Sequence, residues 1–316
     1  MAKMKITRKK LHHLYYLERK TTRQVAKELG IGQTSVRRWM RHFGMIARNS
    51  SESRIKHPRK SLSKNNMEKA YLLGLCAGDV SACKRTPFTV ELTTSTTRPA
   101  MINLFYNVFG KYGHCIQWPR KSNISFQWAL YCGLDKSFTF LLDKSLEVPK
   151  ENNLFYSFLA GYTDAEGCWS ITRSHDVRIF IRFLLTTGDL EILKKIKEKL
   201  ENDGYNPRFR CIPVKNKYKS KKLRRTKTLY ELSLYRKEEV VSLAKKLLSF
   251  SKHEEKIDKI KLILRIKNKK YWSEVESELK EFKKIIINKR DDCINKARSE
   301  YELRRIKSKR YLPSDN

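Results

Sequence analysis

Two carboxylates, Asp79 and Glu166, stand at the ends of two copies of one short pattern. Residues 72–80 read Leu-Leu-Gly-Leu-Cys-Ala-Gly-Asp-Val, and residues 159–167 read Leu-Ala-Gly-Tyr-Thr-Asp-Ala-Glu-Gly after Phe158. Each copy predicts an apolar helix that ends in an acid. Each also carries small residues four apart, Gly74 and Gly78, then Gly161 and Ala165, and positions four apart share a helix face. Small residues on such a face let two backbones approach closely, as they do between membrane helices, although these runs are too short and too polar at their flanks to cross a bilayer. Packed together, the two helices would bring Asp79 and Glu166 side by side at one end. A carboxylate at a helix C-terminus opposes the macrodipole, and a second beside it adds like-charge repulsion. Divalent cations relieve both. Mg²⁺ accepts one or two carboxylates plus waters and phosphate oxygens, and paired ions suit an in-line displacement at phosphorus. The competing reading is two ordinary buried helices that each finish in an acid. Asn66 and Asn153, each 13 residues ahead of its acid and each a candidate N-cap, weaken that reading.

The paired motifs resemble the signature of single-chain LAGLIDADG homing endonucleases, over roughly residues 65–267. In that family the penultimate motif position is the catalytic acid, so the resemblance implies Asp79 and Glu166 as catalytic residues. It implies a metal set of these two with their neighbours Val80 and Ala165. Copy two matches closely. In copy one Ala77 replaces the first acid, which is not a metal ligand in the family, and Val80 replaces the final Gly. Val80 is expected to alter the turn leaving the helix, because Gly there would tolerate positive φ. Family members also place a basic residue near the cut phosphate, often just before the last helix of each half. By position these are Lys256 in half two and Lys150 in half one, though the abundance of lysine makes chance an equal explanation of either.

Composition fits a polyanionic partner. The 316 residues hold 69 Lys+Arg against 33 Asp+Glu, a formal charge of +36, which predicts salt-sensitive binding to nucleic acid and says nothing about catalysis. The length allows two or three domains, and 40% apolar residues allow real cores. Seven scattered cysteines with no C-x-x-C pair argue against a zinc site or a disulfide framework and for reduced thiols. No long apolar run suggests a signal or membrane helix. A cytoplasmic, nucleoid-associated prokaryotic protein is the expectation.

A second module precedes the motifs. Thr21 and Gln24 are spaced as a capping box, Val25, Ala26 and Leu29 make one helix face, Gly30 and Gly32 bracket a turn, and Val36, Trp39 and Met40 make the next face. Leu11, Leu14, Tyr15 and Leu17 predict a helix that joins them. Residues 21–43 resemble a helix-turn-helix, which implies that Gln33, Thr34, Ser35, Arg37, Arg38 and Arg41 face DNA. The alternative is a helical hairpin with a solvated basic face. Residues 47–64, rich in Ser, Lys and Arg, read as a basic linker, either tracking phosphates or merely solvated.

After each signature helix the chain alternates with period two, which predicts half-buried strands. Phe88, Val90 and Leu92 do so in the first half, as do Ile124, Phe126, Trp128 and Leu130; Trp169 and Ile171, then Ile179, Ile181 and Phe183, then Tyr230, Leu232 and Leu234 do so in the second. Helices are predicted after Pro99 and over 189–201. The fold class expected is therefore α+β, two pseudo-symmetric αββαββα halves over 65–150 and 151–267, with the helix-turn-helix at 1–46 and a charged helical extension at 268–316 of one or two helices, marked by Trp272, Val275, Leu279, Phe282 and Ile286. The resemblance implies that the polar sheet faces form a saddle over the major groove. Phosphate contacts are expected from Lys215, Lys217, Lys219, Arg224 and Arg225, which position the duplex. Base contacts are expected from Gln127, Arg178, Arg182, Arg208 and Arg210, with solvated strand faces as the alternative.

The reading as a whole is a monomeric, site-specific, Mg²⁺-dependent endonuclease on double-stranded DNA, with Mn²⁺ as a substitute, cutting both strands of a long asymmetric target. The resemblance implies a staggered cut across the minor groove and mobility with an intron. The alternative is a silent nucleic-acid binder, either a maturase on intron RNA or a transcription regulator. A one-strand nickase follows if Glu166 alone functions.

Overall fold

The computed structural model describes residues 6–48, 57–123, 125–143, 147–214 and 228–309, with side chains described as far as 306. The chain divides into two compact units, Met1–Pro58 with Thr86–Phe88, and Arg59–Arg85 with Thr89–Asn316.

In the first unit, α1 (Arg8–His12) continues as a π-helical turn, His13–Leu17, followed by α2 (Thr22–Leu29) and α3 (Gln33–His42). The Thr21/Gln24 capping box forms: Gln24 N donates to Thr21 Oγ1 (3.2 Å) and Thr21 N to Gln24 Oε1 (2.8 Å). Gly30 ends α2 in the left-handed region, φ 64°, a conformation that costs glycine little. Leu11, Leu14, Tyr15, Val25, Ala26, Leu29, Val36 and Met40 share one core. Leu17 does not join it and is 67% exposed, because the wider π turn carries it off the apolar face.

The second unit holds α4 (Asn66–Ala77), strands β1 (Ser81–Thr86) and β2 (Thr89–Thr96), α5 (Pro99–Phe109), then β3 (His114–Lys121) and β4 (Phe126–Leu134). It repeats the order with α6 (Asn152–Glu166), β5 (Gly167–Arg173), β6 (Ile179–Thr187), α7 (Leu190–Asn202), β7 (Arg208–Ile212) and β8 (Leu229–Leu234). Each sheet has four strands, in the orders β1-β2-β4-β3 and β5-β6-β8-β7. Antiparallel pairing sets Val90 opposite Leu134 and Phe183 opposite Leu234. Alternate residues, Leu92, Leu130 and Cys132 in one sheet and Ile181, Phe183 and Leu232 in the other, are buried on the helix side. The α+β class and the repeat are thus present.

The two halves end differently. Half two closes with α8 (Lys237–Leu248) and α9 (Glu254–Ile266), where one helix was expected; half one closes with only a 3₁₀ segment, Lys136–Leu142. Asp135 starts that segment by accepting from Ser137 N (2.8 Å). The extension is a short 3₁₀ turn, Trp272–Glu274, and one 34-residue helix, α10 (Glu276–Lys309). This helix packs on β3 and β4 of the first sheet: Trp128 Nε1 donates to Cys293 O (3.2 Å), and Ala297 is fully buried.

The helix starts are also corrected. The N-cap of α4 is Asn65, whose Oδ1 accepts from Met67 N and Glu68 N (2.9 and 3.2 Å), and α6 starts after Glu151. Asn66 and Asn153 are inside their helices. The expected linker is not free along its whole length: Arg59 Nη1 donates to Thr89 Oγ1 (2.6 Å), Lys60 N to Tyr112 O (2.8 Å) and Leu62 N to Ser137 Oγ (2.8 Å), tying residues 59–62 to half one.

Candidate active site and nucleic-acid face

Helices α4 and α6 are in direct backbone contact. A Cβ at Gly74 would strike the carbonyl oxygen of Phe158, and one at Gly161 would strike that of Tyr71. A Cβ at Gly78 would lie 2.5 Å from that of Ala165 and 3.0 Å from Glu166 Cγ. All four small positions therefore lie in the helix crossing. Gly167 needs its missing side chain for space, since a Cβ would come within 2.7 Å of Thr163 O, and not for its dihedral, as its φ is −76°. The turn after α4 accordingly accepts Val80 without positive φ, and Val80 is fully buried.

The crossing brings Asp79 and Glu166 to one pocket of about 420 Å³. Asp79 is exposed and Glu166 half-buried. Loss of surrounding water pushes the Glu166 carboxyl above its ordinary range and the charge of Asp79 raises it further, while Lys256 opposes both. Partial loss of water also raises Asp79, against the pull of Lys256 and Arg98. Among the described residues neither carboxylate has a hydrogen-bond or ion-pair partner. Two acceptor-only groups that repel each other and lack donors fit a divalent cation. No group of three or more His, Cys, Asp or Glu gathers among the described residues, so water and phosphate oxygens would complete the coordination. Val80 and Ala165 have no side-chain donor atom and could contribute only main-chain carbonyls.

Lys256, in the first turn of α9, lies in this pocket and donates to the Gly167 carbonyl. Burial pushes its ammonium below the usual range, with the charges of Asp164 and Asp79 among those holding it up. Asp164, 2% exposed, positions this turn. Its Oδ2 accepts from Tyr71 Oη (2.7 Å), Lys252 N (2.7 Å) and His253 N (3.1 Å), so one carboxylate joins α4, α6 and the start of α9. Lys150 is exposed and does not line the pocket. The cation that half one supplies is Arg98 at the start of α5, ion-paired to Glu255 of half two (2.6 Å). Sequence position pointed to the segment before a half's last helix; half one ends in a 3₁₀ segment, and its cation comes from the β2–α5 junction. The far wall was also missed: Phe282 and Ile286 of α10 line the same pocket.

The faces turned away from the helices carry Gln127, Arg182, Arg208 and Arg210. Gln127 lies opposite Arg120 in the first sheet. In the second, Arg208 pairs across from Ser233 and Arg182 from Ser170. The Arg208 guanidinium lies over the Tyr235 ring (5.1 Å) and that of Arg182 over Phe180 (5.5 Å), and those two rings stack (5.9 Å). Arg210 is engaged by Glu231 through Nε–Oε1 (2.9 Å) and Nη2–Oε2 (3.0 Å). Arg178 precedes β6, bridges Tyr271 and pairs with Asp176 (3.0 Å). On α3, Thr34, Arg37, Arg38 and Arg41 are exposed, whereas Gln33 Nε2 donates to Thr22 Oγ1 (2.7 Å). Lys215, Lys217, Lys219, Arg224 and Arg225 lie outside the described residues.

No protein-family model matches the sequence, and no curated protein matches it. Several solved structures are similar to parts of this chain. Mesophilic variants of the homing endonuclease I-DmoI align at 15% identity over 58% of this chain and 98% of theirs, TM-score 0.37. The LAGLIDADG meganuclease I-AabMI, bound to uncleaved DNA, aligns at 11% identity over 73% and 98%, TM-score 0.39. Full-length DUF199/WhiA from Thermatoga maritima aligns at 16% identity over 64% of this chain and 62% of that one, TM-score 0.40. No helix among the described residues is long and apolar enough to cross a membrane.

Proposed function

We propose that this chain is a site-specific endonuclease on double-stranded DNA that uses Mg²⁺, with Mn²⁺ able to replace it. One observation carries the reading: Asp79 and Glu166, with no hydrogen-bond donor on either among the described residues, meet at the end of a glycine-packed helix crossing, beside the half-buried Lys256 and the Arg98–Glu255 pair. Asp79 and Glu166 would hold the metal, which would activate water and neutralise charge at the scissile phosphates. Lys256 places a desolvated positive charge where negative charge develops at phosphorus, an arrangement that acts strongly in a site with little water. Arg98, held by Glu255, would fix a phosphate oxygen in half one, and Asp164 would keep the first turn of α9 in register with both acids. The outer sheet faces would carry the duplex, and the exposed arginines of α3, as a helix-turn-helix, would add a second contact. The charge of +36 supports the partner class.

A second reading, a binder that does not cut, is favoured by one feature: Phe282 and Ile286 place an apolar wall on the acid pocket. Incubation with a pool of long random duplexes and Mg²⁺ separates the two. The endonuclease reading requires double-strand breaks at a restricted set of sequences; retention of DNA without breaks in either Mg²⁺ or Mn²⁺ would replace it with the binder.

A further inference from the structure

The two outer sheet faces differ in chemistry. In the first sheet, pairing sets Trp118 opposite Ala129, which faces Ser95, and sets Ile116 opposite Tyr131, which faces Thr93. These two rows contain no charge. Trp118 is 36% and Ile116 41% exposed, while their strand neighbours Cys115 and Pro119 are buried. Ile116 and Trp118, two apart on β3, therefore present adjoining apolar side chains on this outer face. The second sheet carries Arg182 and Arg208, each guanidinium laid on an aromatic ring, and the rings stacked on each other. The Nε of Arg182 is buried and has no hydrogen-bond partner. Stacking holds a guanidinium plane and leaves its edge free for bidentate bonds.

Resting on the duplex-DNA reading, we propose that the two halves recognise chemically different half-sites. Ile116 and Trp118 take a half-site whose major-groove edge is rich in thymine methyl groups. Arg182 and Arg208 take a half-site containing guanine. The physical basis is the groove code: thymine presents a C5-methyl group, and guanine presents O6 and N7 acceptors in the geometry of an arginine fork. Arg210 is excluded from this role by its hydrogen bond and ion pair to Glu231. Gln127 and Arg120, opposite each other at the end of the first sheet, mark the polar edge of the methyl-reading surface.

The test is selection of bound sequences from a randomised duplex pool with divalent metal chelated, so that bound DNA stays intact. The expected consensus has one T·A-rich half and one half with fixed guanines. Replacing thymine by deoxyuridine in the first half removes only methyl groups, and is expected to weaken binding several-fold in the natural chain and hardly at all in an Ile116→Ala/Trp118→Ala chain. Arg208→Ala is expected to lower the preference for guanine by ~10-fold or more, leaving the first half-site unchanged. Duplex binding with the same composition in both halves, or indifference to deoxyuridine in the natural chain, would overturn the half-site assignment while the duplex reading stands. Tighter binding to single strands than to any duplex would overturn both.

Discussion

Gly74 and Gly161 each lie against the backbone of the other's helix, Gly74 at the Phe158 carbonyl and Gly161 at the Tyr71 carbonyl. The same interval of 87 residues separates Gly74 from Gly161, Tyr71 from Phe158, and Asp79 from Glu166. The crossing is thus reciprocal, and the contact that fixes the helices also fixes the separation of the acids. Gly161→Val should therefore destabilise the chain by ~3 kcal/mol or more, because the neighbour is backbone and cannot move aside as a side chain would. Gly32→Ala, where a Cβ would meet only Ser35 Oγ at 3.9 Å, should shift stability far less. Thermal unfolding of the two variants checks the contrast.

Lys256→Met should leave DNA affinity within a few-fold and lower the cleavage rate by ~10²–10³-fold, the scale for removing one charge-stabilising donor. Single-turnover kinetics with pre-bound DNA measure this. Lys150→Met should leave both affinity and cleavage rate within a few-fold, since Lys150 is exposed and outside the pocket.

Glu68, in the first turn of α4, gives a pH signature. Burial would push its carboxyl up, but Lys111 and the hydroxyls of Ser63 (2.7 Å) and Tyr112 reverse this and hold it down at about 2. A depressed carboxylate adds stability above its unfolded value, and that stability disappears as pH falls through the folded value. Glu68→Gln should cost about 1–3 kcal/mol at pH 7, with the difference from the natural chain shrinking from about pH 4 towards pH 2. Denaturant titrations across that range read the convergence.

Ala297 is fully buried on α10, which packs on the first sheet. Ala297→Glu should cost roughly 2–4 kcal/mol, the range for an unpaired charge forced into a core, and should expose residues 276–309 to protease before the rest of the chain. Equal cleavage of variant and natural chain would mean that α10 is not held there by this contact.

The apolar alternation of β2, β4, β6 and β8 made the inner strands legible, because these carry the buried rows. β1, β3 and β7 were not named from sequence: strands such as Arg-Phe-Arg-Cys-Ile bury too few residues to leave a clear pattern, whereas β5, also a sheet edge, buries Trp169 and Ile171 and was legible. The acid pair was legible because its helices are local and their small residues repeat. Arg98 was not, since its placement beside Asp79 depends on α5 and on an ion pair with a residue 157 positions away. Asp164 was visible as part of the motif, but its work on Lys252 and His253 depends on tertiary closure. Phe282 and Ile286 followed helical spacing, and nothing in that spacing says which surface the helix covers.

The most direct measurement is strand-resolved cleavage of a selected target duplex with Mg²⁺, comparing the natural chain with Asp79→Asn and Glu166→Gln. The account predicts that the natural chain breaks both strands, that each substitution abolishes double-strand breaks, and that DNA binding persists in both variants. Double-strand breaks that survive in either variant, or tight binding by the natural chain with no cut in Mg²⁺ or Mn²⁺, would contradict it.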